Sequence, residues 1–271
     1  MIEFVSEKNG KLSKLALYYV EDLSFSTFQK LLRNKDVKVN GKRTGQDVLL
    51  SVGDKVLIYY NNDNLKYDLL YVDQNIIVID KKSGYTSENV YEQIKGKYPQ
   101  ACFIHRLDRN TSGVMIFALN NQSETLLLEG FKKRTFEKKY RATVHGVMEK
   151  ENQILNAYLL KDKDRSIVKI FDHKVENSVA IKTGYRLIRQ DKETALLEVE
   201  LFTGKTHQIR AHLAHVGHFI IGDGKYGDNK INKKFSEKSQ KLTAYSLTLH
   251  FVQGSCLEYL NNKTFVSKQV K

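Results

Sequence analysis

Cysteine and proline are scarce in this chain of 271 residues. The only thiols are Cys102 and Cys256. Two of them build neither a disulfide framework nor a cysteine-rich metal site, and such sparing use fits a reducing cytosol. Proline occurs once, at Pro99, so turns must rest on Gly, Asn and Asp. No apolar run is long enough to span a bilayer, and no membrane association is expected. Met1 to Glu7 carries neither the basic start nor the apolar centre of a signal peptide. There is no repeat, no low-complexity tract and no H-E-x-x-H metalloprotease motif.

What is present is enough for one large domain, or a medium domain with a small companion. Hydrophobic residues make up 41% of the chain, adequate for a packed core. Lys and Arg number 44 against 31 Asp and Glu, a formal net charge of +13. That sign suits a polyanion such as RNA, although surplus charge also serves solubility.

The densest chemistry lies in His105-Arg106-Leu107-Asp108-Arg109-Asn110-Thr111-Ser112-Gly113. Asp108 is its one acid, set between Arg106 and Arg109. An unbroken apolar run, Val114 to Leu119, follows and reads as a buried strand. Alone, the segment would pass for a surface turn with a local ion pair. A second segment, Thr203 to Gly227, shifts that balance. It holds Thr203-Gly204-Lys205-Thr206-His207-Gln208-Ile209-Arg210 and, further on, Gly217-His218-Phe219-Ile220-Ile221-Gly222-Asp223-Gly224-Lys225-Tyr226-Gly227.

Together these segments resemble the signatures of the RluA-type pseudouridine synthases, H-R-L-D and T-G-R-T-H-Q-I-R. The resemblance covers about Lys11 to Phe251. It implies an α+β fold with a mixed, largely antiparallel sheet and flanking helices. It also implies that Asp108 is the catalytic residue, with Arg210 ion-paired to it; a nearby cation favours the ionised carboxylate. Thr135 to Gly146 resembles the family's K-x-Y-x-A-x-V-x-G strand, which places Tyr140 against the target base. Lys132, Lys133, Arg134, Lys138, Lys139 and Arg141 around it would line an RNA groove. Arg106 or His105 would fill the space a flipped nucleotide leaves, or bind phosphate. Isomerising uridine involves no redox change, so no cofactor is expected. The family has a Lys-Pro pair near Lys82-Ser83, where this chain has no proline.

Residues 1–62 read as a separate module, joined by a polar linker at Asn61 to Asn64 to a catalytic domain over 63–271. Two helices are expected, one spaced by Leu12, Leu15, Tyr18, Tyr19 and Leu23, the other over Thr27 to Asn34. A hairpin at Asn40-Gly41 and a strand near Val56 follow. This arrangement resembles the alpha-L RNA-binding motif of a ribosomal protein. Lys30, Arg33, Lys38, Lys42 and Arg43 would then follow a phosphate backbone. Further on, the pattern predicts a helix over Ser123 to Lys133 and a mixed sheet over Ile154 to Val199. A helix N-capped by Thr206 is expected next, with Ile209, Leu213 and Val216 on one face and Gly217 at its end. Asn261 to Lys271 is expected to fray.

The favoured function is isomerisation of uridines in large-subunit (23S) ribosomal RNA by a cytoplasmic monomer. Transfer RNA is the alternative substrate. A noncatalytic RNA-binding or ribosome-assembly protein is a second alternative, opposed by Asp108, Tyr140 and Arg210. A metal hydrolase built on His207, His212, His215 and His218 is a third, opposed by the lack of a zinc motif. No metal is expected.

Overall fold

The computed structural model describes residues 2–20, 23–60, 65–162 and 167–269. The linker expected at Asn61 to Asn64 lies outside the described residues. The chain forms two compact units, one of residues 1–69 with 88–101, the other of residues 70–87 with 102–271.

The first unit begins with β1 (Ile2–Val5), β2 (Gly10–Lys11), α1 (Leu12–Tyr19) and α2 (Phe25–Arg33). It continues with β3 (Val37–Val39), β4 (Lys42–Thr44), β5 (Leu49–Leu50) and β6 (Lys55–Ile58). Ser24 caps α2, its hydroxyl accepting from the Thr27 amide at 3.2 Å. One turn apart on that helix, Phe28 and Leu32 bury against Leu12, Leu15, Val37, Val56 and Ile58. Asn40 (φ 48°) and Gly41 (φ 80°) both take the left-handed backbone that a two-residue hairpin demands, and β3 pairs with β4 across them. The sheet order is β1-β6-β3-β4.

The chain continues through β7 (Tyr67–Val72), β8 (Ile76–Lys81), α3 (Ser87–Lys97), β9 (Cys102–Phe103), β10 (Ser112–Ala118) and α4 (Asn121–Lys133). A long antiparallel stretch follows: β11 (Glu137–His145), β12 (Asn152–Asp162), β13 (Ile167–Phe171), β14 (Val179–Gln190) and β15 (Thr194–Leu201). Then come α5 (Gln208–His215), α6 (Asn229–Lys234), β16 (Leu242–Thr248) and β17 (Thr264–Val266). The large sheet runs β13-β12-β14-β15-β11-β16-β10-β8-β7, with β17 on β16 and β9 on β10. It is mixed but largely antiparallel, and β10 lies parallel to β16.

The apolar run after the charged segment is β10, buried over its whole length beside the equally buried β8. Val114, Ile116 and Ala118 pack with Ile76, Val78 and Leu127 in one core cluster. Each large side chain of this kind contributes roughly 1.5–3 kcal/mol on burial, so the strand is a firm base for the segment before it. Gly113 (φ 117°) joins the two. A Cβ there would lie 2.2 Å from the Ala244 carbonyl oxygen, so only glycine lets β16 approach this closely.

Two expectations are corrected. The N-cap of α5 is His207, in left-handed conformation (φ 56°), rather than Thr206, and Val216 lies past the helix and is 39% exposed. Nor do the residues after Asn261 fray as far as Gln269. β17 pairs with β16, while the Ser267 hydroxyl and the Lys268 and Gln269 nitrogens donate to the buried Asp80 carboxylate. A buried carboxylate requires such donors, which compensates for the polar composition of the tail.

Candidate active site

Residues 104–111 form the loop that presents Asp108, and the segment Lys81 to Ser87 holds it from behind. The buried Lys81 ammonium donates to the carbonyl oxygens of Lys82 (3.0 Å), Tyr85 (2.7 Å) and Arg109 (3.0 Å). The Ser87 hydroxyl donates to the Leu107 carbonyl and accepts from its amide, both at 2.9 Å. Ser83 Oγ donates to the Asn110 carbonyl at 2.9 Å, and the Gly84 amide donates to the Arg109 carbonyl at 3.0 Å. So the segment that lacks proline is fixed by hydrogen bonds. Burial lowers the Lys81 ammonium to about 8, against the opposing pull of Asp108.

Arg210 reaches this loop from α5. Its Nη1 donates to Asp108 Oδ2 at 2.9 Å. Its Nε and Nη2 donate to the two carboxylate oxygens of Asp223, at 2.7 and 2.9 Å. The guanidinium is therefore locked by a fork-to-fork pair on one side and offers a single donor on the other. Asp223 is 1% exposed. Burial opposes its ionisation, but the Arg210 donors and the amides of Lys225 and Tyr226 outweigh that and hold its pKa below the ordinary value. The Asp108 side chain keeps 25% of its surface exposed, so one carboxylate is closed off and the other is open to solvent.

His207 is the third neighbour, with Nε2 3.9 Å from Asp108 Oδ2. Its Nδ1 lies 2.9 Å from the Tyr226 hydroxyl, which also accepts from the Val168 amide at 2.9 Å. The Tyr226 hydroxyl thus fixes the imidazole ring with Nε2 turned toward Asp108. Burial pushes the His207 pKa down despite Asp108. The Tyr226 ring also lies 5.2 Å from the Arg210 guanidinium.

Tyr140 projects from the inward face of β11, 8% exposed. Burial, then the charge of Asp108, push its phenol up. Asp108, Arg210 and Tyr140 thus share one place. His105 sits behind it: its ring stacks on Phe131 at 4.4 Å and Nε2 accepts from the Ile116 amide at 3.2 Å. Burial, and next Lys138, hold His105 down to about 3. Arg106 is exposed. The N-terminal cations lie in the other unit: Lys30 and Arg33 on the last turn of α2, Lys38 on β3, Lys42 and Arg43 on β4. There Lys38 and Arg43 lie 5.3 and 5.1 Å from the ring of Tyr59.

The histidines of the metal alternative serve separate partners. His207 meets Tyr226, His212 meets Thr183 at 3.0 Å, His215 meets Asp172 at 2.8 Å, and His218 meets the His145 carbonyl. Among the described residues no three His, Cys, Asp or Glu side chains are grouped to hold a metal ion. Sequence reasoning missed Lys81, Asp223 and Tyr226. Asp223 stands between two glycines after an apolar pair, and Lys81 follows the apolar run Ile76 to Ile79 with only Asp80 between; both are charges where burial was to be expected.

Residues 75–215 match the family described as RNA pseudouridylate synthase. The chain is 30% identical to an uncharacterised RNA pseudouridine synthase of Mycoplasma genitalium, over 91% of this chain and 84% of that one. It is 28% identical to the ribosomal large subunit pseudouridine synthase C of Vibrio cholerae, over 86% and 82%. Among solved structures, human RNA pseudouridylate synthase domain containing 1 shares the fold, with a TM-score of 0.62 at 21% identity over 69% of this chain and 80% of that one.

Proposed function

Since the chain belongs to the RNA pseudouridylate synthase family, and is an RNA pseudouridine synthase, we propose that its substrate is large-subunit ribosomal RNA and that Asp108 is the catalytic carboxylate. The observation that carries the assignment of Asp108 is the single Arg210 donor aimed at it while Asp223 occupies the rest of the guanidinium. Several relatives carry the name ribosomal large subunit pseudouridine synthase C, at 28–31% identity, and that supports ribosomal over transfer RNA.

The reaction breaks the bond from ribose C1′ to N1 and joins C1′ to C5 of the same ring. C5 then loses its proton and N1 gains one, so the product is an isomer. A carboxylate fixed by a cation serves as nucleophile or base for such a step. The bond is inaccessible in stacked RNA, and flipping the nucleotide out costs a few kcal/mol. Tyr140 offers an aromatic wall for the flipped ring. In the N-terminal unit, Lys30, Arg33, Lys38, Lys42 and Arg43 form the RNA-binding surface of an alpha-L-type module.

Mapping pseudouridines in the ribosomal and transfer RNA of a strain lacking the gene tests this reading. Loss of a 23S site, restored by the wild-type gene but not by Asp108→Asn, is the expected result. Loss confined to transfer RNA would overturn the choice of substrate.

A further inference from the structure

Of the six cations around β11, five are exposed or have an acceptor on the protein. Lys139 and Arg141 both pair with Glu198, at 3.8 and 3.2 Å. Lys133 pairs with Glu129 at 2.7 Å, the Arg134 Nη1 donates to the Phe202 carbonyl at 2.7 Å, and Lys132 is exposed. Lys138 differs. Strand alternation puts it on the inward face with Tyr140, Ala142 and Val144, all three buried. A charge in the inward row of a strand costs stability unless it has a task or a partner. Among the described residues no carboxylate pairs with Lys138, and its ammonium lies 5.1 Å from the Phe131 ring.

The recess it enters is lined by His105, Leu107, Val114, Lys138, Tyr140, Ala244, Ser246 and Leu247. Its four polar residues are donors. Lys138 is a cation, and Tyr140 and Ser246 carry hydroxyls. The His105 Nε2 accepts from Ile116, so its ring proton is on Nδ1. No carboxylate lines the recess. A β-bulge sits at this point, since Lys139 faces Ser246 while Tyr140 faces Ala244, and it brings Ala244, Ser246 and Leu247 together on the lining. Burial, and then Arg134, lower the Lys138 ammonium, as expected of a cation with no anion beside it.

We propose that this recess binds a non-bridging oxygen of a phosphodiester next to the target uridine, held by Lys138 with Ser246. The inference rests on the reading of the protein as an RNA-modifying enzyme and adds a contact in a recess that Tyr140 also lines. A full positive charge favours a phosphate oxygen over a neutral uracil carbonyl.

The test compares the wild type, Lys138→Met, Lys138→Arg and Ser246→Ala. Each is measured for binding to a short RNA containing the target uridine at several salt concentrations, for single-turnover rate at saturating RNA, and for thermal unfolding. Lys138→Met should weaken binding about tenfold at low salt and reduce the salt slope by about 0.7–0.9, the share of one phosphate contact. Its unfolding midpoint should hold or rise, and Lys138→Arg should restore the slope. Ser246→Ala should weaken binding two- to fivefold with the slope kept. Unchanged affinity and slope in Lys138→Met would overturn the proposal. So would an unchanged slope with a lost rate, which would mean a contact to the base edge, or a lowered midpoint, which would mean a structural lysine. A wild type that binds the RNA but isomerises nothing would contradict the functional reading, while the slope comparison would still judge the recess.

Discussion

Asp223 grips Arg210 through two oxygens, at 2.7 and 2.9 Å, and thereby leaves one guanidinium nitrogen to reach Asp108 at 2.9 Å. The pair is buried, so the direction of that third donor is set by Asp223 rather than by water. Asp223 acts through Arg210 and is a positioning residue.

Asp223→Asn keeps the shape but removes the charge and one acceptor. The single-turnover rate should fall at least tenfold, with RNA affinity within about twofold of wild type. Breaking a buried pair from one side costs roughly 3–5 kcal/mol, so the urea midpoint should fall as well. Asp223→Glu should recover part of the stability but little of the rate, because the longer arm re-aims the guanidinium. A rate near wild type in Asp223→Asn would show that Arg210 needs no second carboxylate.

Acid stability should depend on His212. This side chain is 1% exposed, contacts the Thr183 hydroxyl at 3.0 Å, and is held down to about 4 from an ordinary 6.5, chiefly by burial. The unfolded chain therefore takes up a proton first as the pH falls. The associated stability is fully present above pH 6.5 and is lost as the pH drops toward 4, by up to roughly 3 kcal/mol. His212→Asn should flatten urea stability between pH 6.5 and 4.5 relative to wild type. Parallel curves would place the acid sensitivity elsewhere.

The N-terminal cations should show as salt dependence rather than rate. Lys30 lies on α2, and Lys38 and Lys42 lie on the β3–β4 hairpin of the first unit. Replacing all three with Ala should reduce the salt slope of RNA binding by about 2–3 while the rate at saturating RNA stays within about twofold. Substitutions serve this test better than a cut after residue 62, because residues 88–101 group with the first unit. An unchanged slope would remove this face from the RNA-binding surface.

Local chemistry was legible and distant partners were not. Asn40-Gly41 announces its hairpin because two positive φ angles select those residues. The strand β10 could be read from its apolar run, and the charged segment before it from composition. Nothing near Asp80 in sequence says that Ser267 and Gln269, 187 and 189 residues later, supply its donors. Nothing near Lys81 reveals that it fastens the Arg109 carbonyl 28 residues away. Thr206 has the side chain of an N-cap, yet the backbone turns one residue later, at His207, in a left-handed conformation uncommon for any residue but glycine.

The most direct test of Asp108 as the catalytic carboxylate is a single-turnover assay with saturating RNA, comparing wild type with Asp108→Asn. The amide keeps the shape and a bond to Arg210 through its oxygen, but is neither nucleophile nor competent base. The account predicts no detectable pseudouridine from Asp108→Asn, with RNA binding and unfolding midpoint close to wild type. Pseudouridine formation by Asp108→Asn at a rate near that of wild type would contradict it.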